Sequence, residues 1–113
     1  MQRNEMKWIT RIPTHGNDGK PFPNSLMTTI LNHVARQFGG GSLDGPGRGI
    51  WIGADKTMFD EPSYVLSVAC QPLDLQKARE TVVWIGKALQ QEAMYFEIQD
   101  SPVEIIRIES EQP

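Results

Sequence analysis

Apolar residues along this chain follow two rhythms, every second position in some stretches and every third or fourth in others. Over Met6–Pro13 the alternation sets Met6, Trp8, Thr10 and Ile12 on one side and Lys7, Ile9 and Arg11 on the other. That period predicts a strand, which Pro13 ends. Residues 14–23 gather turn formers and read as a surface loop. The rhythm then changes. Leu26, Met27, Ile30, Leu31, Val34, Ala35 and Phe38 form one apolar stripe, predicting a helix over 25–37 capped by Asn24. His33 falls with Thr29, Arg36 and Gln37 on the solvated side.

A glycine-rich stretch, 39–49, interrupts both rhythms; it holds six of the ten glycines in the chain. Its composition predicts a loop, with Gly39 as the left-handed residue that stops the helix. A phosphate cradle would need Gly-Lys-Ser/Thr and a helix N-terminus after it, and this stretch has neither. It leaves a helix C-terminus, whose dipole repels anions.

A short strand is expected over 49–54, with Ile50 and Ile52 turned to the helices and Trp51 away from them. Residues 55–62 read as a connection. The nearly unbroken apolar run 63–71 predicts a central strand, with Tyr64, Leu66, Val68 and Cys70 on one face and Val65, Ser67 and Ala69 on the other. Cys70 there is a small buried hydrophobe.

Asp74 is placed to cap a second helix, with Leu73 stapled onto Ala78, and Leu75, Ala78, Val82, Ile85 and Leu89 form its stripe. Trp84 lies off that stripe, near Lys77, Thr81 and Ala88. It marks either a contact surface or a place covered by a loop or the C-terminal tail. Residues 92–98 alternate as Ala93, Tyr95, Glu97 against Met94, Phe96, Ile98, a fourth strand; an extra strand is possible over 103–108.

The order strand, helix, strand, strand, helix, strand is that of an α+β, ferredoxin-like βαββαβ sandwich. Two helices would cover one face of a mostly antiparallel sheet. The chain reads as a single domain, 1–113, with 1–5 and 109–113 as frayed tails.

Charge and composition narrow the partners. A net charge of −3 and a pI near 5.3, without any basic run, argue against nucleic acid. Arg48-Gly49-Ile50-Trp51 has some likeness to an RNA-recognition strand but lies on the second strand, and the third has no matching pattern. A single-stranded nucleic-acid binder is therefore the weakest reading. One cysteine excludes an intrachain disulfide. Two histidines eighteen residues apart make no metal signature, and no cofactor is implied. No apolar run of about 20 residues exists to span a bilayer. The first residues lack the apolar core of a signal peptide, so a cytoplasmic protein is expected.

The sheet face away from the helices is the expected working surface. Trp51 and Tyr95 would give it an aromatic floor, with Arg11, Lys7 and Ser67 beside Glu97. Such a face suits a small organic ligand or a two-fold homodimer. The ligand or interface residues are Trp51, Tyr95, Trp8, Arg11, Gln91 and Trp84. A non-enzymatic binding domain that works as a homodimer through the open face around Trp51 and Tyr95 is the leading reading, with a small-molecule ligand as a further possible partner. A small cofactor-independent enzyme of the dimeric α+β-barrel kind is the alternative, with Glu92, Glu97 and His15 as acid–base groups and Asp60 and Glu61 as further carboxylates. Gln91 and Glu92 would equally serve to tie the helix end to the glycine stretch. A Cys70–His15 pair needs Cys70 at the sheet's end, which its place in the run does not favour.

Three motifs together resemble a small family of bacterial proteins known only as a domain of unknown function. They are Phe38-Gly39-Gly40-Gly41-Ser42-Leu43 leading to Trp51, Glu61-Pro62-Ser63-Tyr64-Val65-Leu66, and Gln91-Glu92-Ala93-Met94. Order and spacing agree from Trp8 to Ile106. The resemblance implies the same strand–helix order and brings no activity. The His15–Phe22 loop is longer than in that family, and the leader some members carry is not seen.

Overall fold

The computed structural model describes residues 2–108, apart from the side chains of Gln2, Arg3, Trp51 and Phe59. The elements are β1 (Gln2–Asn4), β2 (Met6–Pro13), α1 (Asn24–Phe38), β3 (Ser42–Ile52), β4 (Met58–Cys70), a 3-10 turn (Pro72–Asp74), α2 (Leu75–Ala88), β5 (Glu97–Gln99) and β6 (Val103–Ile105). The main sheet is antiparallel throughout, ordered β3-β4-β2-β5. This is the ferredoxin-like α+β arrangement.

The core lies between the sheet and both helices. Trp8 and Ile12 of β2 and Leu66, Val68 and Cys70 of β4 meet Ile30 and Val34 of α1 and Ala78, Val82, Ile85 and Leu89 of the α2 region. Each buried Ile, Leu or Val among them contributes about 1.5–3 kcal/mol, so this layer holds most of the fold's stability. Trp8 has no exposure at all, and Phe38 meets it edge-on at 5.3 Å between ring centroids. Trp8 is therefore a core residue and not a ligand or interface residue, because its parity on β2 turns it under the helices. Burial pushes the Cys70 thiol above its ordinary pKa.

The glycine-rich stretch departs from expectation. Most of it is strand: β3 starts at Ser42 and runs to Ile52, and β4 already begins at Met58. The expected loop and connection are two long strands of one hairpin. Glycine and proline carry little strand propensity, but the β4 backbone supplies the partners, and pairing overrides composition. The cost shows locally. The register shifts between Asp44 and Gly47, where the Gly45–Pro46 peptide is cis. Gly45 has φ 114°, and a Cβ there would stand 2.8 Å from the Gly47 nitrogen. Only glycine fits that bulge.

The hairpin extends past the helices and gives the molecule dimensions of 61 × 28 × 22 Å. Ile50 and Ile52 are 60% and 66% exposed, so they do not turn into the helices as expected. The tip closes with the Gly53 amide donating to the Thr57 carbonyl at 2.8 Å and the Thr57 amide to the Asp55 carboxylate at 3.0 Å.

Helix signals were partly right. Gly39, at φ 87°, ends α1 by donating to the Ala35 carbonyl. The N-cap position, however, is Pro23, with no side-chain cap from Asn24. The Asp74 carboxylate accepts the Gln71 amide across the 3-10 turn, and does not cap α2. Leu73 is 85% exposed and staples nothing.

β5 is only three residues long. Residues 92–96 stay out of the ladder because their groups are engaged elsewhere: the Thr10 hydroxyl donates to the Tyr95 carbonyl at 2.6 Å, and Phe96 packs on Trp8 at 6.2 Å. The extra strand exists as β6, paired antiparallel with β1 in a separate two-stranded sheet. Residues 2–4 are thus held rather than frayed; residues 109–113 lie outside the described residues.

Candidate functional site

A cavity of about 540 Å³ opens at the end of the sheet where β2 stops. Four pieces of chain build its wall. β2 brings Arg11 and Pro13; β4 brings Glu61 and Ser63; the hairpin tip brings Ile52 and Gly53; and the α2–β5 connection brings residues 90–95. Asn17 completes it from the 14–23 loop, held there by its side-chain amide donating to the Gln90 carbonyl at 2.9 Å.

The β2–β4 register explains this meeting. Arg11 pairs with Val65 and Pro13 with Ser63, so residues of one parity, Arg11, Pro13, Ser63 and Glu61, share the face turned away from the helices. Ile9 pairs with Glu97, and the same parity carried two residues on brings Tyr95 beside Arg11. The Arg11 guanidinium carbon lies 5.5 Å from the Tyr95 ring centroid, a cation–π contact. The Tyr95 hydroxyl donates to Glu97 at 2.5 Å, and the Gln99 side-chain amide donates to the other Glu97 oxygen at 2.7 Å.

These bonds set the local electrostatics. The Tyr95 hydroxyl, the Gln99 amide and the nearby Arg11 charge hold the Glu97 carboxyl below its usual range. The same hydrogen bond, with desolvation and the carboxylate charge, raises the Tyr95 phenol. Glu97 thus accepts from both Tyr95 and Gln99 and positions the Tyr95 ring. It stands beside the cavity and outside its lining.

Two other carboxylates differ from it. Glu61 and Glu92 both line the cavity, and neither has a hydrogen-bond or ion-pair partner among the described residues. Arg11 is the one cation in the lining, so the cavity carries a net negative charge. Its apolar surface comes from Pro13, Ile52, Ala93, Met94 and the Tyr95 ring. Met94 is held by close packing: a Cβ on Gly86 of α2 would stand 2.8 Å from its Cγ.

The expected site residues therefore separate. Arg11, Tyr95, Gln91 and Glu92 come together at the cavity, with Glu97 adjoining. His15 does not join them; its Nδ1 is paired with the Thr14 hydroxyl at 2.6 Å, and it lies outside the lining. Trp51 pairs with Phe59 through the backbone, and its side chain lies outside the described residues. Trp84 lies outside the lining, stacked on His33 at 4.2 Å and 26°, so a residue of α1 covers one of its faces. The Gln91 side-chain amide donates to the Leu89 carbonyl, and the helix end is tied to the 14–23 loop through Gln90, not to the glycine stretch. Asp60 is bonded to Arg48 on the hairpin. Asn17, Ile52 and Ser63 were not foreseen at a site. They meet only through the hairpin and the α2–β5 connection, which leave no local sequence signal.

Among the described residues no group of three or more His, Cys, Asp or Glu side chains is arranged to hold a metal ion, and no helix is long and apolar enough to cross a membrane.

No family model matches the chain, and no curated protein matches it. Solved structures do. A phage SAM lyase in complex with S-methyl-5'-thioadenosine superposes with a TM-score of 0.68 at 14% identity, covering 94% of this chain and 90% of that one. The phage SAM lyase in its apo state gives 0.65 at 14% identity, covering 97% and 93%. A DUF3240 family protein from Shewanella baltica OS155 is more distant, at 0.45 and 10% identity, covering 99% and 100%. At these identities the likeness is one of fold, and it places the chain among small α+β domains.

Proposed function

We propose that this protein is a small, cofactor-independent lyase that binds S-adenosylmethionine in the cavity and cleaves a carbon–sulfur bond of its sulfonium, releasing S-methyl-5'-thioadenosine. One observation carries the reading: the cavity is nucleoside-sized, and its two unpartnered carboxylates, Glu61 and Glu92, outnumber its single cation. A volume of this order suits a ligand of that size. A net negative, partly apolar cavity selects an organic cation with a flat apolar part, and S-adenosylmethionine joins an adenine to a sulfonium. The fold likeness over nine-tenths of both chains supports the same reading, because that fold has been solved around S-methyl-5'-thioadenosine.

In the cleavage, an oxygen of the substrate's own carboxylate attacks the side-chain carbon bound to the sulfonium, so that a C–O bond forms as the C–S bond breaks. The electron pair of the broken bond stays on sulfur, the sulfonium becomes a neutral thioether, and the remaining fragment leaves as a lactone. The product loses the charge that the carboxylates attract, which favours its release. Tyr95 offers a ring for the base to lie against, and Arg11 and Glu97 fix the orientation of that ring. Arg11 is also the group suited to the substrate's own carboxylate.

Calorimetric titration with S-adenosylmethionine tests the binding. Saturable binding is expected, weakened about tenfold or more in Glu61→Gln and Glu92→Gln. Equal binding by the wild type and both variants contradicts the reading.

A further inference from the structure

Ser63 carries an unusual feature for a residue so deep. It is 1% exposed, and its hydroxyl has no hydrogen-bond partner. Buried hydroxyls are nearly always paired, and an unpaired one costs roughly 1–3 kcal/mol. The neighbours explain the vacancy. Across the sheet Ser63 faces Pro13 on β2 and Gly47 on β3, and neither has a polar side chain. Two residues along the same strand face stands Glu61, whose carboxylate is also unpartnered among the described residues. Both line the cavity. At Gly47 a Cβ would meet nothing within 4 Å, so the strand opposite Ser63 has room beside it.

Resting on the proposed function, we infer that Ser63 and Glu61 form the subsite for the ribose diol of the ligand, and so restrict the cavity to ribonucleosides. A carboxylate accepts hydrogen bonds from vicinal hydroxyls, as acidic residues do at nucleotide ribose in other folds. A serine hydroxyl can donate and accept at once, which fits a neighbouring hydroxyl. The ligand then satisfies the group that the fold leaves unsatisfied. Ser63 is a specificity residue, and its unpaired state is the free-energy reserve that ribose binding recovers.

Stability and affinity together separate a ribose contact at Ser63 from a structural role. A structural hydroxyl stabilises the fold; this one does not. Ser63→Ala is expected to melt at or above the wild-type temperature without ligand, and to bind S-methyl-5'-thioadenosine about tenfold more weakly. The 2'-deoxy and 3'-deoxy analogues extend the test. At least one should bind the wild type about tenfold more weakly than the parent compound and bind Ser63→Ala as well as the parent does. A clearly lower melting temperature for Ser63→Ala, or wild-type binding indifferent to both hydroxyls, overturns the inference. Tight, hydroxyl-dependent binding of the thioether without any cleavage of S-adenosylmethionine removes the lyase reading and leaves this subsite standing. Absence of wild-type binding to the thioether overturns the inference, and cleavage of S-adenosylmethionine then decides the lyase reading by itself.

Discussion

The two ends of β4 share one ladder and one partner strand, β3, yet they are put to different uses. From residue 63 onward, alternate side chains drop under the helices: Leu66 and Val68 have no exposure, and Cys70 has 1%. Before residue 63 the backbone pairing continues, but none of the described side chains of 58–62 is buried. Met58 is 66% exposed, and Asp60 is engaged with Arg48 across the hairpin. Backbone hydrogen bonds, with the Arg48–Asp60 pair, extend the hairpin, while apolar burial holds the other end. The cavity sits at the boundary, with Ser63 the last buried residue of one half and Glu61 beginning the other. Rigid packing beneath and an uncovered arm beside it are what a binding site at that point requires.

The contrast can be broken most sharply in the core. Leu66→Ala should cost about 2–5 kcal/mol by chemical denaturation, because a fully buried side chain leaves a cavity. Ile52→Ala, on the arm, should change stability by less than about 0.5 kcal/mol while lowering ligand affinity, since Ile52 lines the cavity and packs under no helix. Comparable losses of stability at both positions would erase the distinction.

A smaller effect is expected at Gly86. Alanine there must displace Met94, whose Cγ would be 2.8 Å from the new Cβ. The cost is about 1–3 kcal/mol, with a weakened cavity wall as the second consequence. Unaltered stability and affinity in Gly86→Ala would mean that Met94 is not held by that contact.

How far the sequence announced this division depends on which side chains carried a period. β2, α1, α2 and the second half of β4 were legible because their apolar positions keep a regular spacing, and that spacing is the core itself. β3 was not. Glycine and proline supply no alternation, and the strand's register is imposed by β4 from outside. The site followed the same rule. Arg11, Tyr95 and Glu97 fell together because parity along β2 and β5 can be counted. Ser63 was hidden because its significance lies in what faces it, Pro13 and Gly47, and those pairings exist only in the folded sheet. Trp8 was misassigned for a related reason: a large aromatic at the start of a strand reads equally as a contact residue or as core, and the helices decide.

The gentlest probe is pH. Glu97 has its folded pKa lowered, chiefly by the Tyr95 hydroxyl. A carboxylate lowered on folding stabilises the native state above its unfolded pKa. That contribution is lost as the pH falls from the ordinary glutamate range through the lowered value. Tyr95→Phe should therefore flatten the acid-side decline in melting temperature between those limits and leave the neutral region little changed. An unaltered acid-side slope would mean that the hydrogen bond is not formed in solution.

The central claim is that an uncovered, acidic cavity at the sheet's end cleaves a nucleoside sulfonium. Purified protein incubated with S-adenosylmethionine, followed by mass spectrometry of the small molecules, tests it most directly. Time-dependent release of S-methyl-5'-thioadenosine, strongly reduced in Glu61→Gln or Glu92→Gln, is the predicted result. Intact S-adenosylmethionine after prolonged incubation with folded protein, or release that both variants sustain undiminished, would contradict it.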